Sequence, residues 1–390
     1  MADQLEARFR AGHRKLVAAR DRLQSAVDSG TATDHERTRL ATVQELLTPV
    51  STAELDASGN VVEVRRYRQF YDVDLEGQGQ AVEVLGDLSR ARDVAVLVPG
   101  MGNNLETFRG QSDRGGLIRH ESGPGTAAVV WLGYESPQGI PAAMSKEAAL
   151  AGAPRLAQFL SEVDAEKSPG ANVTLIGHSY GSEVVGQALL QGARPGRVVL
   201  TGSPGIAKYV DEASDLVPPP TRVYVERAPG DYVSYTQWHG PDPATFPDAI
   251  RMATNSQLAN DEAVSVHWHN EYYRPNSEAL RNIGRVVRGD LANITTTGTS
   301  RHQETKLLLG ASWGDGLKNI AGAASKVYDG VVSVSRPSRE AARRAAGETA
   351  RGAGEARGAG EAARHAAGQD GARIRSRSSD PTRRRGGPAR

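Results

Sequence analysis

Leu5, Phe9, Leu16, Leu23 and Val27 recur between charged residues at multiples of three to four positions, and Leu40, Val43, Leu46 and Leu47 resume the pattern after Asp28-Ser29-Gly30. That spacing lines apolar side chains along one helical face, and the glycine breaks it, so two helices are predicted within residues 1–57. A hairpin this small cannot bury its own face and is expected to dock on the main domain or on another subunit. From Val61 the period changes. Val61 to Val73 and Gln80 to Leu85 read as a β-hairpin. Val94 to Val98, Ala127 to Leu132, Val173 to Ile176 and Val198 to Leu200 are almost wholly apolar without alternation, which suits strands covered on both faces of a parallel sheet. Helical stretches at Met144 to Val163 and Ser182 to Leu190 lie between them, and Arg222 to Val225 and Ala263 to Trp268 complete eight strands. The alternation predicts an α/β domain over residues 58–292, with a mostly parallel eight-stranded sheet and helices on both faces.

Beyond Asp290 the pattern weakens. Leu307 to Leu309, Trp313, Leu317, Ile320, Ala324, Val327 and Val331 form an apolar stripe interrupted by glycines, read as an amphipathic helical extension over residues 293–335. Residues 336–390 are rich in Ala, Gly, Glu and Arg, with almost no large apolar side chains, and are expected to be disordered. This arginine-rich end changes the charge picture only locally. The whole chain of 390 residues carries a net charge of +1, which favours neither nucleic acid nor an anionic membrane as partner. The terminal helices and the tail are the places where a protein partner is expected. No long apolar span or leader-like stretch is present, so the expected location is the cytoplasm. The chain has no cysteine, which excludes disulfides, zinc-thiolate sites and thiol nucleophiles and confines metal chemistry to His and carboxylate. Neither a metal nor a cofactor is expected.

Two stretches match G-x-S-x-G: Gly177-His178-Ser179-Tyr180-Gly181 and Gly310-Ala311-Ser312-Trp313-Gly314. Their contexts differ. Val173-Thr174-Leu175-Ile176 is a short apolar strand running straight into Gly177, and the residues after Ser182 continue as an apolar-striped helix. A nucleophile elbow needs this strand-turn-helix setting, with small residues flanking a strained serine. Ser312 has no such strand before it. Ser179 is therefore the expected nucleophile.

A serine hydroxyl reacts near neutral pH only if a histidine takes its proton and a carboxylate orients that histidine. With a serine on such an elbow, the acid follows a late strand and the histidine comes last. Asp231 lies just past the strand ending at Val225 and is the expected acid, with Asp242 and Asp248 as alternatives in a proline-rich loop. His178 is too close along the chain to turn back on Ser179, and His239 is placed in the pocket wall. His269, in the loop after the last expected strand, is favoured as base over His267, which is expected to point along that strand. The oxyanion hole requires two converging backbone N–H groups. Tyr180, just after the nucleophile, and Met101, in the loop Pro99-Gly100-Met101-Gly102 after an early strand, are the candidates.

Pro99-Gly100-Met101-Gly102, Trp131-Leu132-Gly133-Tyr134, Gly177-His178-Ser179-Tyr180-Gly181-Ser182, Gly202-Ser203-Pro204-Gly205 and the stretch from Gly230-Asp231 to His269 resemble a bacterial family of α/β-hydrolases known only as a domain of unknown function. The resemblance covers about Val94 to Gly289. It implies the α/β-hydrolase fold and a triad of Ser179, Asp231 and His269, and it strengthens the choice of His269 through His269-Asn270-Glu271-Tyr272-Tyr273. It implies no substrate. From the residues, the expected reaction is hydrolysis of a carboxylic ester of a small or lipid-like acyl group through an acyl-enzyme on Ser179. The alternatives are an amidase or thioesterase with the same triad, or a non-catalytic binding module on this fold.

Overall fold

The computed structural model describes residues 2–55, 58, 60–217, 221–229, 231–255 and 266–297. Helices α1 (Ala2–Asp28) and α2 (Asp34–Leu46) form the expected pair, turning at Gly30 with φ +74°. Thr33 caps α2. Its hydroxyl accepts from the Glu36 N–H, and the Glu36 carboxylate accepts from the Thr33 N–H at 2.8 Å. Leu16 and Leu23 of α1 and Val43 and Leu46 of α2 are buried in the same core as Phe70 and Val73. The pair docks on the sheet domain through contacts such as Lys15 Nζ to the Val73 carbonyl at 3.1 Å. Arg39 of α2 adds an ion pair to Glu106 at 2.5 Å.

Strands β1 (Val50–Leu55) and β2 (Val61–Arg66) pair antiparallel in a separate two-stranded sheet. The expected hairpin is thereby corrected: Val61 to Arg66 leaves with β1, and only β3 (Gln69–Asp74) pairs with β4 (Gln80–Leu85). The Tyr67-Arg68 break between the two runs divides what reads as one strand. The remaining elements alternate. They are β5 (Asp93–Val98), α3 (Phe108–Ser122), β6 (Thr126–Leu132), α4 (Ile140–Ala143), α5 (Glu147–Glu166), β7 (Asn172–His178), α6 (Gly181–Leu190), β8 (Arg197–Thr201), β9 (Arg222–Glu226), α7 (Val233–Thr236), β10 (Ile250–Met252), α8 (Val266–Asn270) and α9 (Glu278–Arg288).

The main sheet has eight strands in the order β10-β9-β8-β7-β5-β6-β4-β3, all parallel except β4, which runs against both neighbours. Its central strands lack alternation because both faces are covered. Val94, Val96 and Val98 of β5 join the core that also holds Leu156 of α5 and Val184 of α6, while Ala95 and Leu97 join a second core with Ile118 of α3 and Ile283 of α9. All of the C-terminal strand ends from β5 to β9 therefore open on one edge, where loops carry the chemistry.

The eighth strand is not the expected one. Val266–Asn270 is a short helix, residues 263–265 lie outside the described residues, and β10 (Ile250–Met252) occupies the sheet edge, parallel to β9. The alternation Val264-Ser265-Val266-His267 imitates a strand, but Trp268 and His269, adjacent in sequence, are both buried, as a one-face-covered strand does not permit. His267 thus sits in a helix rather than along a strand. The amphipathic extension expected beyond 297, Ser312 and the tail from 336 lie outside the described residues. Among the described residues no helix is long and apolar enough to cross a membrane.

Candidate active site

Strand β7 ends at His178, α6 begins at Gly181, and Ser179 stands between them at φ +56°, a left-handed conformation that side chains other than glycine rarely adopt. The Ser179 N–H donates to the Thr201 carbonyl at 3.0 Å and its carbonyl accepts from the Ser182 N–H at 2.9 Å, so the strain is held by backbone hydrogen bonds. The flanking glycines are required by space. A Cβ on Gly177 would lie 2.8 Å from the Ser182 Cα, and one on Gly181 would lie 2.2 Å from the Val98 carbonyl oxygen. Gly100 is packed as closely, since its Cβ would lie 2.8 Å from the Ser179 Cβ and 3.1 Å from the Tyr180 nitrogen.

Asp231 and His269 meet at the end of β9. Nδ1 of His269 is 3.0 Å from Oδ1 and 3.1 Å from Oδ2 of Asp231, and both residues are buried. The carboxylate also accepts from the Val233 N–H at 3.1 Å, the Ser234 hydroxyl at 2.9 Å and the Tyr272 hydroxyl at 2.5 Å. Burial alone would raise the Asp231 pKa, but His269 and the hydrogen bonds from His269, Tyr272 and Ser234 outweigh it and hold the carboxyl below its ordinary value. The other candidate acids are engaged elsewhere. Asp242 pairs with buried Arg227, and Asp248 accepts from the Ala213 and Ser214 N–H groups at 2.6 and 2.8 Å. Ser179 and His269 line one cavity of about 810 Å³ counted to its open mouth. Among the described residues the Ser179 hydroxyl has no hydrogen-bond partner. Without substrate, a serine-histidine bond of this kind is often long.

Met101 and Tyr180 line the same cavity, and Gly100 brings the loop after β5 against the Tyr180 nitrogen. Among the described residues neither the Met101 nor the Tyr180 N–H has an acceptor, so both are available to a ligand oxygen. The loop is held from behind: the Tyr134 hydroxyl donates to the Pro99 carbonyl at 2.7 Å and the Asn103 side chain donates to the Gly100 carbonyl at 2.8 Å.

The histidines set aside in the sequence have other places. His178 Nε2 lies 2.9 Å from the His269 carbonyl, which can only accept, so Nε2 carries the proton and fixes the backbone of the favoured base. Burial, then Arg114 and His269, push the His178 pKa well below its ordinary value, which keeps the ring neutral. His239 lines the cavity, with its ring edge-on to Tyr180 at 5.1 Å. Tyr272, Ser234 and Arg114 were not foreseen, because nothing local in the sequence marks them. Among the described residues no cluster of His and carboxylate side chains could hold a metal ion.

Behind the elbow, Glu183 on the first turn of α6 is 2% exposed, with one oxygen accepting from Gln187 at 2.9 Å and the other unpartnered. Burial raises its pKa from 4.5 to about 7. The folded chain therefore keeps a proton that the unfolded chain releases, so stability falls as pH rises from about 4.5 to about 7 and is level above. Glu183→Gln removes this dependence. Its stability relative to wild type is expected to improve by on the order of 3 kcal/mol between about pH 4 and pH 8. Thermal melts across that range test this, and a difference independent of pH contradicts it.

Residues 74–240 match the family model described as Alpha/beta hydrolase. An uncharacterized protein of Mycobacterium tuberculosis is 27% identical over 265 residues, covering 58% of this chain and 40% of the relative, so the chain spans about two fifths of that relative's length. An uncharacterized protein of Mycobacterium bovis is 29% identical over 192 residues, covering 45% of this chain and 71% of the relative. Among solved structures, a carboxylesterase from Mesorhizobium loti aligns with 57% of this chain and 98% of its own at 17% identity and a TM-score of 0.33. Sheet order with β4 alone reversed, the strand-turn-helix at Ser179 and the match of residues 74–240 to the Alpha/beta hydrolase model together give this chain the α/β-hydrolase fold.

Proposed function

We propose that the chain is a serine hydrolase acting on carboxylic esters, with Ser179 as nucleophile, His269 as general base and acid, and Asp231 as the orienting carboxylate. The observation that carries this reading is that His269, hydrogen-bonded to the buried Asp231, lines a cavity shared with a strained, unpartnered Ser179. His269 Nε2 takes the Ser179 proton as Oγ bonds to the acyl carbon, and the carbonyl π electrons move to oxygen. The Met101 and Tyr180 N–H groups receive that oxyanion. As the tetrahedral adduct collapses, the C–O bond to the leaving alcohol breaks and His269 returns the proton to it. Water then repeats the sequence on the acyl-enzyme and releases the acid. Asp231 holds Nδ1–H, so that Nε2 is left unprotonated to accept, and it stabilises the imidazolium formed on the way.

The cavity walls favour a small acyl substrate. Ile140, Ala143, Pro204, Val233 and Trp238 supply apolar surface of the kind that lines small-molecule sites. The full chain is expected to turn over 4-nitrophenyl butyrate with an initial burst of nitrophenol, and Ser179→Ala is expected to abolish both burst and turnover. Parallel assays on the matching anilide and thioester decide among leaving groups. Faster cleavage of either, at equal intrinsic reactivity, overturns the ester reading while leaving the nucleophile in place.

A further inference from the structure

Arg114 lies on α3, half-buried, and its side chain lines the cavity that holds Ser179 and His269. Its contacts are neutral. One guanidinium nitrogen donates to the Asn270 side-chain oxygen at 2.7 Å, another lies 3.4 Å from His178 Nδ1, and the plane sits 5.2 Å from the Tyr273 ring centroid. His178 cannot supply a compensating charge, because its Nε2–H is committed to the His269 carbonyl and its ring is neutral. Other buried arginines of this chain carry carboxylates: Arg68 with Glu83, Arg39 with Glu106 and Arg227 with Asp242. Among the described residues Arg114 has none, and no Asp or Glu lines the cavity.

A guanidinium drawn out of water without a counter-ion is costly, and an anion delivered by a ligand removes that cost. Gln111 stands three residues earlier on α3, lines the same cavity and is 4% exposed, with its side-chain oxygen unpartnered. Residues three apart on a helix are neighbours on its surface, so the two side chains form one polar patch. Rotating the Gln111 amide presents its NH₂ to the same ligand group as the guanidinium. We propose that Arg114 and Gln111 form an anion subsite in the catalytic cavity, and that the ester cleaved at Ser179 carries a carboxylate or phosphate group beside its scissile bond. This rests on the hydrolase reading above.

Matched nitrophenyl esters test it on the full chain. Mono-4-nitrophenyl glutarate ends in a carboxylate where 4-nitrophenyl valerate ends in a methyl group, and the 3-phosphonopropionate ester carries a phosphorus acid at similar length. The wild type is expected to favour an anionic ester over valerate by at least about ten-fold in kcat/KM, and the better of the two anions names the source. In Arg114→Met that ratio is expected to fall toward one, whereas Arg114→Lys retains part of it. A merely structural role would lower all three esters alike and leave the ratio, which overturns the subsite, as does a wild-type preference for valerate. Calorimetric titration of monomethyl glutarate reads the subsite without turnover. Affinity for the Ser179→Ala chain at least about ten-fold above that of Ser179→Ala/Arg114→Met supports it, and equal affinities overturn it. Failure to cleave any ester with that difference intact would overturn the hydrolase reading alone.

Discussion

Replacing His269 with alanine is expected to lower kcat on a nitrophenyl ester by on the order of ten-thousand-fold, with little change in KM. The reason lies in the division of labour at the end of β9. Without the imidazole the proposed triad has no group to take the Ser179 proton, yet the cavity walls that bind the acyl chain remain. Asp231→Asn is expected to cost a comparable factor by another route. The amide NH₂ in place of a carboxylate oxygen reverses one hydrogen bond, so that Nδ1 becomes the acceptor and the proton moves to Nε2, where it blocks the base. The Val233, Ser234 and Tyr272 donors also lose the charge they converge on. His267→Ala is expected to cost much less, since the residue enters no step of the mechanism. Steady-state kinetics on the three variants checks this. Collapse in His267→Ala with survival in His269→Ala would move the base and leave the nucleophile untouched.

Gly181→Ala is expected to be among the more damaging single methyl groups in the domain, and the one that acts directly on the elbow. Its Cβ would sit 2.2 Å from the Val98 carbonyl oxygen and 2.9 Å from that of Pro99, and both obstacles are backbone of the loop after β5. Relief requires α6 or that loop to shift, which moves Ser179 relative to the Met101 and Tyr180 N–H groups. Overpacking of this kind costs about 1–3 kcal/mol, and a displacement near 1 Å at a reacting group costs about a hundred-fold in rate. Gly116→Ala is the matched control on α3. Nothing lies within 4 Å of its Cβ, so it is expected to be neutral or to stabilise by about 0.5–1 kcal/mol. Melting temperature and kcat/KM of the two variants decide the matter, and equal behaviour would contradict the packing at the elbow.

These two cases show why part of the domain was legible in the sequence. The elbow is local: an apolar strand, a glycine, a serine, a glycine and an apolar-striped helix are contiguous, and steric demand on the glycines ties that order to one conformation. The strands from β5 to β9 were legible because burial on both faces leaves no polar positions to alternate. The nearness of Asp231 and His269 follows from chain order, since both segments leave the same edge of a parallel sheet. What failed had no local signal or a misleading one. Strand β10 is three residues long and shows no period, while Val264 to Trp268 alternates and yet runs into a helix. Tyr272 and Arg114 act through partners 41 and 156 residues away in the chain, and only the folded arrangement of α3, α8, the turn after α8 and the loop after β9 reveals them, while Ser234 on α7 reaches Asp231 from three residues on without a pattern that marks it.

The central claim is that Ser179 is the activated nucleophile, and covalent labelling tests it without knowledge of the substrate. A fluorophosphonate is attacked only by a serine whose proton can be taken and whose adduct oxygen is received by converging N–H donors, which are the two conditions proposed for this cavity. Full-length protein treated with the probe, digested and mapped by mass spectrometry is expected to carry one adduct, on Ser179. Labelling is expected to vanish in Ser179→Ala, to persist in Ser312→Ala and to slow by orders of magnitude in His269→Ala. An adduct on Ser312, or undiminished labelling of Ser179→Ala, would contradict the account.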